Sequence, residues 1–134
     1  MHASILSLVV GALLLTPALP AIGAEEVEEK KPLLYFELQP SIVSNLQKGA
    51  NYIRTDIQLV THEPASLKEL EHHAPALRHE LFLLLSDQSG SSLKQPKGKE
   101  KFRKNALKSL QKVMRILTGN ELVDDIYFTS FFVQ

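Results

Sequence analysis

The sequence predicts an α+β domain in which a small antiparallel or mixed sheet packs on one face against two helices. Residues 34–38 and 51–61 alternate apolar and polar side chains, as strands with one buried face do. Residues 67–84 and 102–117 instead repeat apolar side chains at steps of three and four, which is the spacing of one helical face. Residues 126–133 are mostly aromatic or β-branched, which favours a final strand. The predicted order is therefore strand, strand, helix, helix, strand.

Composition allows one domain and excludes two kinds of site. The chain has 134 residues, of which 44% are hydrophobic and 22% are charged, and this is ordinary for a globular protein. Fifteen basic residues balance fifteen acidic residues, so the net charge does not indicate a class of partner. Because the chain has no cysteine, disulfides and thiolate metal sites are excluded.

The first 24 residues predict either a secretory signal peptide or a membrane anchor. Residues 5–24 contain no charged side chain, and about 20 apolar residues are enough to span a bilayer. Pro17, Pro20 and the small residues before Glu25 favour a cleaved signal peptide. If the segment is not cut, it would anchor the protein in the inner membrane. Both alternatives place the later residues outside the cytoplasm, where residues 25–32 form a charged linker to a domain at 33–134.

Two strands open the predicted domain. The first covers residues 34–38 and is expected to stop at Pro40, because proline cannot donate a hydrogen bond to a neighbouring strand. The second covers residues 51–61, after a turn at residues 48–51. A hairpin between them would need a long connection, from Pro40 to Asn51. The second strand should bury one set of alternating side chains, namely Ile53, Thr55, Ile57 and Leu59.

The first helical segment is divided by a proline. Ser66 and Glu69 have the spacing of a capping box, which predicts a helix start near Ser66. Pro75 removes an amide donor and crowds the preceding turn. We therefore expect a short turn of helix, a break, and a firm helix over residues 75–86. Residues 87–97 contain three serines, a glycine and a proline, which predict a loop.

The second helical segment has the clearest period, and the last strand follows it. Gly119 stands where a helix C-cap is expected. Residues 126–133 are apolar on both faces, which is typical of a strand that is central in a sheet or covered by a helix or a partner. The apolar stripe of this helix consists of Phe102, Ala106, Leu110, Val113, Met114 and Leu117.

Positive charge is concentrated in residues 94–115, which hold nine basic residues against the single acid Glu100. Five of these basic residues recur at steps of three or four and should share one helical face, opposite the apolar stripe. The predicted partner-docking residues are Lys101, Lys104, Lys108, Lys112 and Arg115. This face could dock on anionic lipid headgroups or an acidic partner, or it could be the solvated side of an amphipathic helix. Nucleic acid is not expected as a partner outside the cytoplasm.

Histidines and acids form no catalytic or metal-binding pattern. His72 and His79 are seven residues apart with Pro75 between them, whereas a metal pair on a helix needs a spacing of three or four. Solvent-facing or pH-responsive histidines are the other interpretations. The acidic clusters at 25–29 and 121–125 come without a catalytic triad or a glycine-rich phosphate loop. We therefore predict that the protein is not an enzyme and uses no cofactor or metal.

Three segments together resemble the FliL family of flagellar basal-body-associated proteins. The first contains the strands at 35–38 and 52–59 and the Ile-Val-Ser-Asn-Leu stretch at 42–46 between them. The second is 75–86, which is similar to the family's proline-started helix. The third is 126–134, an aromatic strand followed by glutamine, with which the family also ends. The resemblance covers residues 33–134, and the order of the three segments makes it specific.

The resemblance implies a stomatin-like periplasmic domain that assembles into rings around the stator units of the flagellar motor. Such a domain supports torque, swimming under load, swarming and chemotaxis-linked rotation, and it does no chemistry. The implied partners are flagellar stator or basal-body proteins and further copies of the chain. Typical members begin with a basic cytoplasmic segment and a clear membrane helix, whereas only residues 1–4 precede the apolar run here. The alternative function is a soluble periplasmic module that binds a lipid or a small ligand.

Overall fold

Three antiparallel strands and four helices build the domain. The computed structural model describes residues 16–18, 20 and 31–134, and the regular elements of this described part lie between residues 34 and 133. The strands β1, β2 and β3 pair in sequence order, so β2 is central. This arrangement confirms the predicted α+β class with an antiparallel sheet. The strands are β1 (Leu34–Asn45), β2 (Tyr52–Thr61) and β3 (Asp125–Val133), and the helices are α1 (Pro64–His72), α2 (Ala74–Ser86), α3 (Gly90–Leu93) and α4 (Pro96–Thr118).

One face of the sheet and the helices enclose the hydrophobic core. Ile53, Ile57 and Leu59 of β2 are almost completely buried, which confirms the inward set predicted for this strand. The helices α2 and α4 close the core by burying residues one turn apart. Their buried side chains are Leu77, Leu81 and Leu85 in α2 and Phe102, Ala106, Leu110 and Met114 in α4. The two long helices therefore cover one face of the sheet, as predicted.

The first strand is longer than predicted, because Pro40 does not end it. β1 continues to Asn45, and its pairing register with β2 shifts between Leu38 and Ile42. A proline is tolerated here because β1 lies at the edge of the sheet, where one side of the strand needs no partner. The extension leaves a short connection before Tyr52, so β1 and β2 form a hairpin.

The helical segment after β2 starts earlier than predicted, and the capping box is wrong. The N-cap is Glu63, Pro64 occupies the first helical turn, and no side chain caps the helix. Ser66 instead lies inside α1 and is buried. The predicted break near Pro75 is confirmed, since α1 ends at His72 and α2 begins at Ala74.

The segments directly before and after α4 can also be compared with the predictions. The 87–97 segment is not entirely a loop, because it contains the single-turn helix α3, which buries Leu93. Local composition predicted a loop, and the apolar contact of Leu93 with the core favours a turn of helix instead. At the other end of α4, Gly119 adopts a left-handed conformation with φ of 84°, which confirms the predicted C-cap.

The last strand lies at the edge of the sheet and is not central. The register of β3 against β2 shifts after Phe128, so Thr129 is an extra residue in the ladder. This bulge lets Phe128 and Phe131 both pack against the core, while Tyr127 and Phe132 stay exposed on the other face. The helices cover the face that carries Phe128 and Phe131. Of the two arrangements predicted for this strand, central in the sheet or covered by a helix or partner, the structure therefore shows the covered one. The aromatic residues of the second face are open within residues 31–134.

The predictions for residues 1–24 and the linker lie almost entirely outside the described residues. Among residues 16–18, 20 and 31–134, no helix combines the length and the hydropathy that a bilayer crossing requires.

Candidate docking surface on the long helix

The basic face predicted from the sequence lies on the exposed side of α4. Lys101, Lys104, Lys108, Lys112 and Arg115 are all exposed, opposite the side chains that α4 buries in the core. Lys97 is also exposed and extends the same row by one turn toward the start of the helix. The amphipathic pattern of α4 explains this placement, because burying the Phe102–Met114 stripe forces the intervening lysines outward.

Four of the nine basic residues at positions 94–115 form ion pairs, a hydrogen bond or a cation–π contact within the domain. Arg115 forms an ion pair with Glu121, although the sequence predicted it as a docking residue. Arg103 forms ion pairs with both Glu100 and Asp125. Lys94 donates to the backbone oxygen of Gly49 at 3.2 Å, and the Lys99 ammonium lies 4.5 Å from the centroid of the Phe131 ring.

The other five lysines have no ion pair and no side-chain hydrogen bond within residues 31–134. We call them the lysine stripe. Its residues span about 22 Å along the helix at a rise of about 1.5 Å per residue. Neighbouring charges are therefore closer together than the Debye length of about 8 Å at physiological salt, and their potentials add. The stripe consists of Lys97, Lys101, Lys104, Lys108 and Lys112.

An arginine clasp fixes α4 to the start of β3. The Arg103 side chain donates to both carboxylate oxygens of Glu100, at 2.6 and 2.8 Å, and to Asp125 Oδ1 at 2.6 Å. The hydrogen bonds from Arg103 lower the pKa of the Glu100 carboxyl below its usual value. Two carboxylates that would otherwise lie near the lysine stripe are thus occupied by an arginine that is not part of it.

The clasp predicts a pH dependence. The pKa of Glu100 is lower in the folded state, so its pairing stabilises the fold above the unfolded-state pKa and is lost as pH falls through the folded-state pKa. We expect Arg103→Gln to raise the pKa of Glu100 and to remove this part of the acid dependence. Urea unfolding at stepwise lower pH, with an NMR titration of the Glu100 carboxyl, measures both effects.

The matched control for the clasp is Lys104→Gln. Lys104 carries the same charge and also lowers the pKa of Glu100, but only through a weaker charge effect. We expect this variant to move the pKa of Glu100 much less than Arg103→Gln does. Equal effects of the two substitutions would show that charge alone, and not the hydrogen bonds of Arg103, sets the pKa.

The histidines and acids of residues 31–134 are mostly dispersed or paired with basic side chains. His72 and His73 contact each other edge to face, and the helix break separates them from His79. Within the residues that the structure describes, no group of three His, Asp or Glu side chains could hold a metal ion. Each acid of the 121–125 cluster has a different basic partner. These pairs are Glu121 with Arg115, Asp124 with His62, and Asp125 with Arg103.

Two surfaces around β3 were not predicted from the sequence. The outer face of the sheet exposes the aromatic and aliphatic side chains of Tyr35, Val43, Tyr127 and Phe132, each more than two-fifths exposed. A groove of about 450 Å³ lies beside the end of β3 and is open to solvent. The alternation of residues 34–38 already placed Tyr35 outward, but only the strand order could show that Tyr127 and Phe132 share its face. The groove is lined by Leu93, Lys94, Gln95, Pro96, Lys99, Phe131, Phe132 and Val133.

A protein-family model matches almost the whole of the described domain. The model of the family described as "Flagellar basal body-associated protein FliL" matches residues 35–134, from β1 through β3. No curated protein sequence matches the chain significantly. The match covers well over half of the 134 residues and, apart from Leu34, includes all the strands and helices of the described domain. The chain therefore belongs to the FliL family of flagellar basal body-associated proteins.

Proposed function

We propose that this protein is an exported accessory of the flagellar basal body that supports stator function through protein contacts. Family membership gives the association with the basal body. The lysine stripe is the observation that favours a docking role, because five neighbouring charges on one helix have no partner within residues 31–134. Its partner in this proposal is an acidic surface of a stator or basal-body protein.

The lysine stripe is suited to docking because the core holds the α4 backbone in place. Leu110 and Met114 are fully buried in the core, and Gln111 donates to the backbone oxygen of Val123 at 2.9 Å. The backbone that carries the lysines is therefore fixed, and only the side chains need to be ordered when a partner binds. Fixing the backbone in advance reduces the entropy lost on binding. Electrostatic complementarity of this kind mainly speeds association and selects the partner.

The proposed location is the periplasm, with residues 1–24 acting as a signal peptide or an inner-membrane anchor. Their apolar run and the following acidic residues support export. Residues 25–32 would then link the membrane or the cut site to the domain. N-terminal sequencing of protein from the envelope fraction distinguishes the two forms, since a start at Glu25 means cleavage and an intact Met1 means an anchor.

Self-association is part of the proposal. The outer face of the sheet presents Tyr35, Val43, Tyr127 and Phe132 to solvent within the described part of the chain. Exposed aromatic and aliphatic side chains that share one face are candidates for protein contact, and here they stand among polar residues such as Arg54 and Gln58. We propose that copies of the chain use this face when they assemble around the motor, which leaves the lysine stripe on the helical side free for other partners.

Motility tests the proposed function directly. We expect deletion of the gene to impair swimming in viscous medium and swarming more than swimming in dilute medium, because the accessory supports the motor under load. The wild-type gene should restore motility. The double variant Lys104→Glu and Lys108→Glu should restore it poorly, because it reverses the charge at the centre of the stripe. Swarm diameter and swimming speed at increasing viscosity are the measurements.

The matched control is Lys48→Glu with Lys68→Glu. Both lysines are exposed and lie outside α4, Lys48 in the β1–β2 turn and Lys68 in α1, and the change in net charge is the same. This control should restore motility fully. Normal swimming and swarming of the deletion strain would contradict the proposed function. Equal failure of the two double variants would contradict docking through the stripe while leaving the motor role intact.

A further inference from the structure

The free edge of β3 offers backbone hydrogen-bonding groups next to the open groove. Gln134 and Tyr52 exchange two backbone hydrogen bonds, each of 3.0 Å. In an antiparallel ladder such bonded pairs recur at every second residue, and the next pair in register is Phe132 with Arg54. The intervening residues Phe131 and Val133 therefore direct their N–H and C=O groups away from β2. Within residues 31–134, no strand lies on that side.

The groove lies along the same three residues. Its walls come from the α3–α4 junction, where Leu93 and Pro96 are apolar. Phe131 and Val133 face the helices, whereas Phe132 faces the opposite side of the sheet, so the groove wraps around the edge. A volume of about 450 Å³ is enough for one or two side chains of an added strand.

The charge of the groove selects the chemistry of its occupant. Its lining residues include Lys94 and Lys99 and no acid. The Lys99 ammonium lies 4.5 Å from the centroid of the Phe131 ring, beside the free backbone edge. A peptide strand that alternates apolar and acidic side chains directs the two sets to opposite faces of the sheet. Its carboxylates would point to the helix side, near these lysines, and its apolar side chains would lie beside Phe132 on the outer face.

The other edge of the sheet is less suited to strand addition. Pro40 interrupts β1 and cannot donate, and its carbonyl oxygen accepts a hydrogen bond from Arg78. The end of β3 has no proline, and its bulge at Thr129 lies before the residues in question. Pairing of two β3 edges from two copies would bring Lys94 and Lys99 of both copies together, which like-charge repulsion opposes.

We propose that the edge of β3 at Phe131–Val133 binds an extended acidic segment of a partner protein as a fourth strand of the sheet. This surface is separate from the lysine stripe and adjoins the outer face of the sheet only at Phe132, so the inference goes beyond the proposed docking role. The added strand gains backbone hydrogen bonds from the edge, and Lys94 and Lys99 select acidic sequences over basic ones.

NMR titration of the isotope-labelled full chain tests the proposal. The probe is a short capped peptide in which valine and glutamate alternate, and a valine–lysine peptide of the same length is its control. We expect the glutamate peptide to shift the backbone amide signals of Phe131 and Val133 and to slow their hydrogen exchange. Val133→Pro removes one edge donor without touching the bonds to β2, and it should weaken binding about tenfold or more.

Methylated peptides keep the test valid if Val133→Pro does not fold. A peptide methylated on the alternate amides that face β3 cannot donate to the edge and should not bind. The peptide methylated on the other set should bind normally. Equal binding of both methylated forms, or of the lysine peptide, would overturn the proposal. So would shifts centred on the lysine stripe, or concentration-dependent protection of Val133 in the free chain, which would show a second copy at the edge.

Discussion

Replacing Leu110 by alanine is expected to lower the free energy of unfolding by about 3 kcal/mol or more. Leu110 is completely buried, and it lies in the middle of the stripe that α4 packs into the core. Truncating a buried leucine loses its transfer free energy and leaves a cavity that the surroundings fill only partly. In a domain of this size the loss corresponds to a fall in melting temperature of roughly 15 °C. Urea and thermal unfolding followed by circular dichroism give both values.

The control for this prediction lies on the same helix. Ile116 is 73% exposed, so Ile116→Ala truncates an aliphatic side chain of the same size as leucine that lies in water and not in the core. Alanine also has the higher helix propensity, so we expect no loss of stability or a small gain. If both substitutions destabilised the protein equally, α4 would not pack in the orientation that places the lysine stripe outward. The docking surface would then have to be redrawn.

Replacing Gly49 by alanine is expected to cost about 2 kcal/mol or more. Gly49 has φ of +74°, a conformation that costs other residues about 1–2 kcal/mol. A β-carbon there would also overlap the Ser91 side chain and come within 2.8 Å of the Ser91 backbone nitrogen. The turn between β1 and β2 and the single-turn helix α3 would have to separate. Because Lys94 donates to the Gly49 carbonyl, the wall of the groove beside β3 should move as well.

Gly119→Ala separates the cost of the positive φ at Gly49 from the cost of the overlap with Ser91. Gly119 has a similar φ of +84°, but a β-carbon there would meet nothing within 4 Å. This variant should lose only the conformational cost of about 1 kcal/mol. The difference between the two variants in urea unfolding measures the contact between Gly49 and Ser91. A difference near zero would mean that α3 does not pack on the β1–β2 turn.

The two predictions concern the parts of the fold that hold the proposed binding surfaces. Leu110 fixes the helix that presents the lysine stripe, and Gly49 fixes the α3 region that forms one wall of the groove. Motility and peptide binding are therefore expected to fail in these variants for structural reasons. Charge reversal in the stripe and methylation of the bound peptide should change binding with little loss of folding, and this contrast separates stability from recognition.

Local patterns determined the elements and the division of α4 into two faces. The alternation in residues 51–61 gave β2 with its buried set, and the steps of three and four in 102–117 gave a helix with an apolar and a basic side. These signals depend on neighbours within one or two turns, so they survive in the sequence. Pro75 and Gly119 marked a break and an end for the same reason, since the restricted backbone of proline and the permissive backbone of glycine act locally.

Only the tertiary structure decided which strand lies at the edge and which charges are free. The position of β3 depends on its pairing with β2, more than 60 residues earlier, and the bulge at Thr129 changes which aromatic side chains face the core. Arg103 and Arg115 form ion pairs with Asp125 and Glu121, which lie beyond the helix, whereas the stripe lysines have no partner within residues 31–134. The spacing of residues indicates the helix or strand to which a residue belongs, but not the distant group that it contacts. The basic helix was therefore predictable from the sequence, and the groove at the edge of β3 was not.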